Sequence, residues 1–213
     1  MSTTPATDPV ALLLGLVLLG YLFGSISTAV LVARVLGLPD PRKEGSGNPG
    51  ATNVLRLGGK RAALITLVGD LLKGLLPVLA ARAMDLSPTA VALTAVAAFA
   101  GHLYPAFFGF KGGKGVATAA GVLLAMAPIV ALVAITTWIL GALLTRLSSL
   151  SALLAAIAAP LTAWLLGLPD ATQLATGVIA LLLVWRHRAN VRRLIAGTEP
   201  RIGQKASSDR APG

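Results

Sequence analysis

Val116 to Thr145 reads VATAAGVLLAMAPIVALVAITTWILGALLT, a run without a single charged side chain. A helix rises about 1.5 Å per residue and a hydrocarbon core is about 30 Å thick, so one pass needs about 20 residues. The run is too long for one pass and short for two full ones, and Pro128 stands inside it. Proline in a helix interior removes a hydrogen bond and clashes with the preceding turn. We read two passes, short or broken, hinged near Pro128.

This reading sets the topology of the whole chain. Other apolar stretches run from Val10 to Leu36, Ala62 to Met84, Thr89 to Tyr104, Leu150 to Gly167 and Ala171 to Trp185. The basic residues fall between or after them. Arg42, Lys43, Arg56, Lys60 and Arg61 lie in Leu38 to Arg61, and Lys111 and Lys114 lie in Pro105 to Gly115. Arg186, Arg188, Arg192, Arg193, Arg201, Lys205 and Arg210 lie in the tail. Positive residues stay on the cytoplasmic side of a membrane. Counting Val116 to Thr145 as one pass would send the tail outside; counting it twice keeps all three basic segments inside. The expectation is an all-α integral membrane protein of seven transmembrane helices, some short or broken, N-terminus out and C-terminus in. Residues 1–205 form one polytopic domain, and 206–213 a disordered polar tail. Asp8, with no Lys or Arg before the first apolar run, argues for a retained span rather than a cleaved signal peptide.

Composition agrees. Only 12% of residues are charged and the mean hydropathy is +0.81, whereas soluble domains carry about 25% charged residues. The net charge of +10 would suggest nucleic acid in a soluble protein; distributed as here it is topological, and no nucleic-acid partner is expected. There is no cysteine and only His102 and His187. Disulfides and thiolate chemistry are excluded, and neither a metal site nor a cofactor is expected. Asp70 and Lys73 share a helical face and read as a buried structural ion pair, with His102 as a structural histidine.

Two loops interrupt the apolar pattern. In GSGNPGATN, Gly45 to Asn53, the glycines Gly45, Gly47 and Gly50 allow backbone amides to converge on an anion. Ser46, Asn48, Thr52 and Asn53 add neutral hydrogen-bonding groups, and Arg56 a forked cation suited to phosphate. In FGFKGGKGVAT, Phe108 to Thr118, the spacing from Gly109 to Gly113-Lys114 is one residue short of a P-loop. Gly115 stands where that motif needs a hydroxyl, so nucleotide hydrolysis is rejected. A glycine turn at Gly112 and Gly113 that brings Lys111 and Lys114 to an anion remains. A third segment, Trp185 to Arg193 (WRHRANVRR), sets His187 and Asn190 on one face among four arginines. His187 can exchange a proton near neutral pH or meet lipid head groups. All three segments fall on one side of the membrane and suggest a joint site for anionic ligands.

GSGNPGATNVLRLGGK, Gly69 to Gly74 (GDLLKG), Gly101 to Pro105 (GHLYP), FFGFKGGKGVAT and RHRANVRRL, in this order, resemble the bacterial acyl-phosphate:glycerol-3-phosphate acyltransferases, the PlsY family. The resemblance runs from about Gly24 to Gly203. It implies a seven-helix inner-membrane enzyme with its site on the cytoplasmic face. Such enzymes move an acyl chain from acyl-phosphate to the 1-hydroxyl of sn-glycerol 3-phosphate, giving lysophosphatidic acid and phosphate for phospholipid synthesis. Ser46, Arg56, Lys114, His187 and Asn190 match family residues needed for activity. Gly45, Gly47, Asn48, Thr52, Asn53, Lys111, Gly112 and Gly113 fall in the phosphate-binding motifs. The implied partners are acyl-phosphate, sn-glycerol 3-phosphate and membrane lipids, with no cofactor and a monomeric chain. His187 serves either as general base or as an orienting group held by Asn190. The rival readings are a transporter of a phosphorylated solute and a lipid-binding scaffold.

Overall fold

A computed structural model describes residues 8–204. Among them all regular structure is helical: α1 (Val10–Gly24), α2 (Thr28–Val35), α3 (Ala51–Ala83), α4 (Pro88–Leu103), α5 (Val116–Met126), α6 (Pro128–Thr145), α7 (Ser148–Leu165), α8 (Asp170–Arg186) and α9 (Arg188–Ile195), with a 3-10 turn at Ala106–Phe108. The tail expected to be disordered, 206–213, lies outside the described residues. Four helices are long and apolar enough to cross a bilayer, five when α1 and α2 count as one bent span.

The expected hinge is present. α5 ends at Met126 and Ala127 is extended (φ −148, ψ 80), so that Pro128 opens α6 at its first position, where its missing N–H costs nothing. Two boundaries differ from expectation. The first apolar run is bent by 40° between α1 and α2. The segment Leu38 to Arg61 is not loop throughout, because α3 begins at Ala51 and is kinked at Gly59 (φ 76, ψ −172). Thr52, Asn53 and Arg56 therefore stand on a short helix ahead of the long one. Its apolar residue Val54 packs with Ala29, Val32 and Ala62, and this burial draws the segment into a helix.

Large apolar side chains such as Leu14, Leu143, Leu144 and Leu181 face outward, as a lipid-facing surface requires. The interior is made of small residues around Phe99, Leu103, Val78, Val122 and Val130. Lipid tails are as apolar as leucine, so close backbone packing rather than water exclusion holds such helices together. A Cβ at Gly24 would strike the Ala98 carbonyl across α1 and α4. One at Gly74 would strike the Thr118 carbonyl, and one at Gly121 the Leu71 carbonyl, across α3 and α5.

One end of the bundle gathers Asp8, which accepts hydrogen bonds from Ser87, and the α3–α4, α5–α6 and α7–α8 turns around a cavity of about 460 Å³. Here Arg82 Nη1 donates to the Ala125 carbonyl (2.5 Å). The other end gathers both glycine loops, the start of α7 and the end of α8. α5 has 11 residues against 18 in α6, so at about 1.5 Å per residue its N-terminus starts roughly 10 Å deeper in the bundle. That difference forms a recess.

Candidate active site

The first glycine loop is shaped by Asn53. Gly45 and Gly47 adopt left-handed backbone (φ 63 and 69), and the Ser46 N–H donates to Asn53 Oδ1 (2.9 Å). Asn53 Nδ2 donates to the carbonyls of Pro41 and Glu44 (3.0 Å each). Asn53 is 1% exposed, and a Cβ on Gly45 would strike its amide. Asn53, expected in the phosphate lining, instead has its amide committed to holding the loop. Ser46 is exposed, Asn48 half-buried, and Thr52 Oγ1 stands 3.4 Å from Ser148 Oγ.

The second loop is stitched into the recess. Gly112 and Gly113 are buried, and the Gly113 N–H donates to the His102 carbonyl (3.2 Å). Arg186 donates from Nε to the Gly113 carbonyl (3.0 Å) and from Nη2 to that of Gly112 (2.7 Å), with its guanidinium 5.8 Å from the Tyr104 ring centre. Side chains have no room here. At Gly112 a Cβ would meet the His102 and Leu103 carbonyls, and at Gly113 the His102 imidazole. Gly115 (φ 83) opens α5, and the first amides of a helix have no partner within it. Lys114 precedes that positive end. Lys111 is exposed and is not among the charges that act on Lys114.

The third segment turns at His187, which closes α8 and opens α9 with φ −93, ψ 4. It is 2% exposed and its Nδ1 lies 2.8 Å from the Leu183 carbonyl. A carbonyl only accepts, so Nδ1 carries the proton and Nε2 presents a lone pair. Asn190 does not hold the ring, contrary to expectation. Its Nδ2 donates to Glu199 Oε1 (2.6 Å), while its buried Oδ1 has no partner. Ser149 Oγ also donates to Glu199 Oε1 (2.6 Å), and Arg193 Nε to Oε2 (2.7 Å).

Electrostatics tie these parts together. Lys114 is lowered to about 8, mainly by burial; Glu199 opposes the shift, and Arg193, Arg186 and Arg56 add to it. His187 is lowered to about 4, again mainly by burial and against the pull of the Leu183 carbonyl. Burial acts to raise Glu199, but the hydrogen bonds from Ser149, Asn190 and Arg193 together bring it below its ordinary value. Arg56 feels the same Glu199 and Arg193. Among the described residues no three His, Asp or Glu side chains converge as a metal donor set.

Glu199 and Ser149 escaped the sequence reading, and Arg186, read only as one of four arginines around His187, clamps the glycine turn. Glu199 is the only acid between Arg186 and Arg201, and a lone carboxylate among five arginines is a signal that was available. Beside Arg56 a groove of about 850 Å³ opens, lined by Leu55, Trp138, Ile139 and Leu143 and bounded by Lys60 and Arg146.

A family model described as glycerol-3-phosphate acyltransferase matches residues 14–197. A protein of that name from Thioalkalivibrio sulfidiphilus is 58% identical over 91% of this chain and 95% of its own. Another, from Methylococcus capsulatus, is 60% identical over 87% and 93%. The crystal structure of PlsY (YgiH), an integral membrane glycerol 3-phosphate acyltransferase, in its glycerol 3-phosphate form, superposes with TM-score 0.85 and 42% identity. It covers 90% of this chain and 96% of that one. A lysophosphatidic acid form of PlsY gives TM-score 0.82 at 40% identity, covering 90% and 95%. With its sequence, its membrane helices and its three joined loops in agreement, the chain belongs to the glycerol-3-phosphate acyltransferase family.

Proposed function

We propose that this chain moves a fatty acyl group from acyl-phosphate to the 1-hydroxyl of sn-glycerol 3-phosphate, releasing lysophosphatidic acid and inorganic phosphate. The observation that carries this reading is the convergence of Arg56, Lys114, Arg193 and the neutral His187 in a recess beside an apolar groove. Both substrates carry phosphate and one carries an alkyl chain, which the groove suits. The crystal forms of PlsY, with glycerol 3-phosphate and with lysophosphatidic acid, support the acceptor and the product.

In the step, the glycerol hydroxyl oxygen bonds to the acyl carbon, the bond from that carbon to the phosphate oxygen breaks, and the hydroxyl proton leaves on phosphate. His187 Nε2 orients the hydroxyl, and Asn190 acts through its hydrogen bond to Glu199. An imidazole at about 4 is a weaker base than a phosphate monoester, whose second pKa is about 6, so substrate phosphate is the final proton acceptor. Lys114, Arg56 and the Gly112 amide stabilise the charge that builds on the departing phosphate, with Gly113, whose own N–H is held by the His102 carbonyl, shaping the turn. Gly45, Ser46, Gly47, Asn48 and Thr52 contribute neutral groups to the second phosphate, and Asn53 acts by shaping their loop. No acyl-enzyme forms.

The setting is a monomer in the bacterial inner membrane. α1 with α2, α3, α4, α5, α6, α7 and α8 make seven crossings, N-terminus out and C-terminus in, and the recess opens to the cytoplasm beside membrane lipids. The test is direct: purify the chain in detergent, supply palmitoyl phosphate and glycerol 3-phosphate, and measure phosphate and lysophosphatidic acid. The two products are expected in equal amounts, and folded protein giving neither defeats the reading.

A further inference from the structure

We propose that His102 is a positioning residue for the phosphate-binding turn Gly112–Gly113, braced from beneath by the buried Asp70–Lys73 pair. The inference rests on the phosphate-site reading of that turn. His102 lies in the last turn of α4, where helix carbonyls lack partners along the chain; its own carbonyl takes the Gly113 N–H at 3.2 Å. Its ring lies under Gly113, so close that a Cβ there would strike Nε2. The backbone and ring of one residue thus fix both the height and the tilt of the turn.

The brace passes through contact and charge rather than an unbroken hydrogen-bond chain. His102 Nδ1 lies 3.8 Å from Asp70 Oδ1, beyond hydrogen-bond reach, and Asp70 lies 2.8 Å from Lys73 Nζ. Lys73 donates to the Ile26 carbonyl at 2.7 Å, at the bend between α1 and α2. The Asp70 carbonyl accepts from Thr118 Oγ1 at 2.9 Å, one turn into α5. These contacts join the bend, α3, α4, α5 and the glycine turn through polar groups at membrane depth, where such groups are costly and mark functional sites. Stability alone accounts poorly for the arrangement. His102 is 6% exposed and its Nδ1 has no hydrogen-bond partner, a penalty that an apolar residue of similar size would avoid. What an apolar residue would also change is the surface against which Gly113 rests.

The experiment measures kcat and both KM values, with palmitoyl phosphate and glycerol 3-phosphate, for His102→Gln and His102→Asn. Glutamine reaches about as far as Nε2 and keeps support under Gly113; asparagine stops near Nδ1. We expect His102→Asn to raise the KM of one substrate roughly tenfold with kcat within about threefold, and His102→Gln to stay near the parent values. Equal KM values in the two variants overturn the proposal, whatever happens to the unfolding temperature. A Gly113→Ala change should cost less in a His102→Ala background than alone, because the clash is removed; strict additivity also counts against it. Lys114→Ala separates the two levels of inference. If it keeps parent kinetics, the phosphate-site reading fails. If it loses activity while His102→Asn keeps parent KM values, only the positioning role fails.

Discussion

Lys114 carries the strongest prediction at the scale of single residues. Removing a preorganised cation from a site of developing charge lowers kcat by about 10² to 10³, so Lys114→Ala should lose that much in phosphate-release assays. The same residue sets the alkaline limit. With a pKa of about 8, Lys114 is charged below that pH and loses its charge above it. kcat/KM should therefore fall through pH 8 to 9, and the limb should move upward in Lys114→Arg, whose guanidinium stays charged. His187, at about 4, is neutral throughout the assay range and should contribute no limb between pH 5 and 8. Glu199 is the other decisive position. Glu199→Gln keeps the shape but removes the charge that Asn190, Ser149 and Arg193 all address. Turnover should drop at least about tenfold, checked beside a circular dichroism spectrum that stays helical. That the glycine turns, Lys114 and His187 come together at one end of the bundle was legible, because such residues are out of place on a lipid-facing helix. The work of Asn53 was not, since an amide that binds ligand and one that staples a loop look alike in one dimension.

Among the elements, α5 determines the depth of the site, and its two ends are secured differently. At its N-terminal half, Gly74 and Gly121 let α3 approach. Gly74→Leu should cost about 1–3 kcal/mol or more through overpacking, read as a lower unfolding temperature in detergent. At its C-terminal end the break at Ala127 carries the following amides away, and Arg82 supplies a donor to the Ala125 carbonyl. Arg82→Ala should cost about 1 kcal/mol and leave kcat unchanged, because this end faces away from the recess. The break before Pro128 was readable, since proline can stand at a helix start but not comfortably within one. The bend at Ser25–Ser27 was hidden by the apolar run around it. What stabilises that bend is Lys73, 47 positions away and donating to the Ile26 carbonyl, and sequence order gives no hint of such a pairing. The early start of α3 was masked by glycines that look like loop while Val54 pulls the segment into the core.

At the scale of the whole molecule, the proposed seven crossings and their direction are open to a clean test because the chain has no cysteine. Asp85, at the end gathered around the α3–α4 turn, and Lys111, exposed on the second loop, lie at opposite ends of the bundle. Asp85→Cys should react in intact spheroplasts with a membrane-impermeant maleimide, and Lys111→Cys only after the membrane is opened. Asp85 lies far from the recess and Lys111 is exposed at its edge, so each variant is assayed for activity before labelling. The charge distribution argues for this outcome. The recess end holds Arg42, Lys43, Arg56, Lys60, Arg61, Lys111, Lys114, Arg146, Arg186, Arg188, Arg192 and Arg193 against Asp40, Glu44 and Glu199, whereas the far end holds Arg82 against Asp8, Asp85 and Asp170. Insertion retains positive ends in the cytoplasm, and the same asymmetry would draw the two phosphate-bearing substrates proposed above toward the recess. One distribution of charge thus answers both to topology and to catalysis. The reverse labelling pattern would separate the two and place the recess on the outer face.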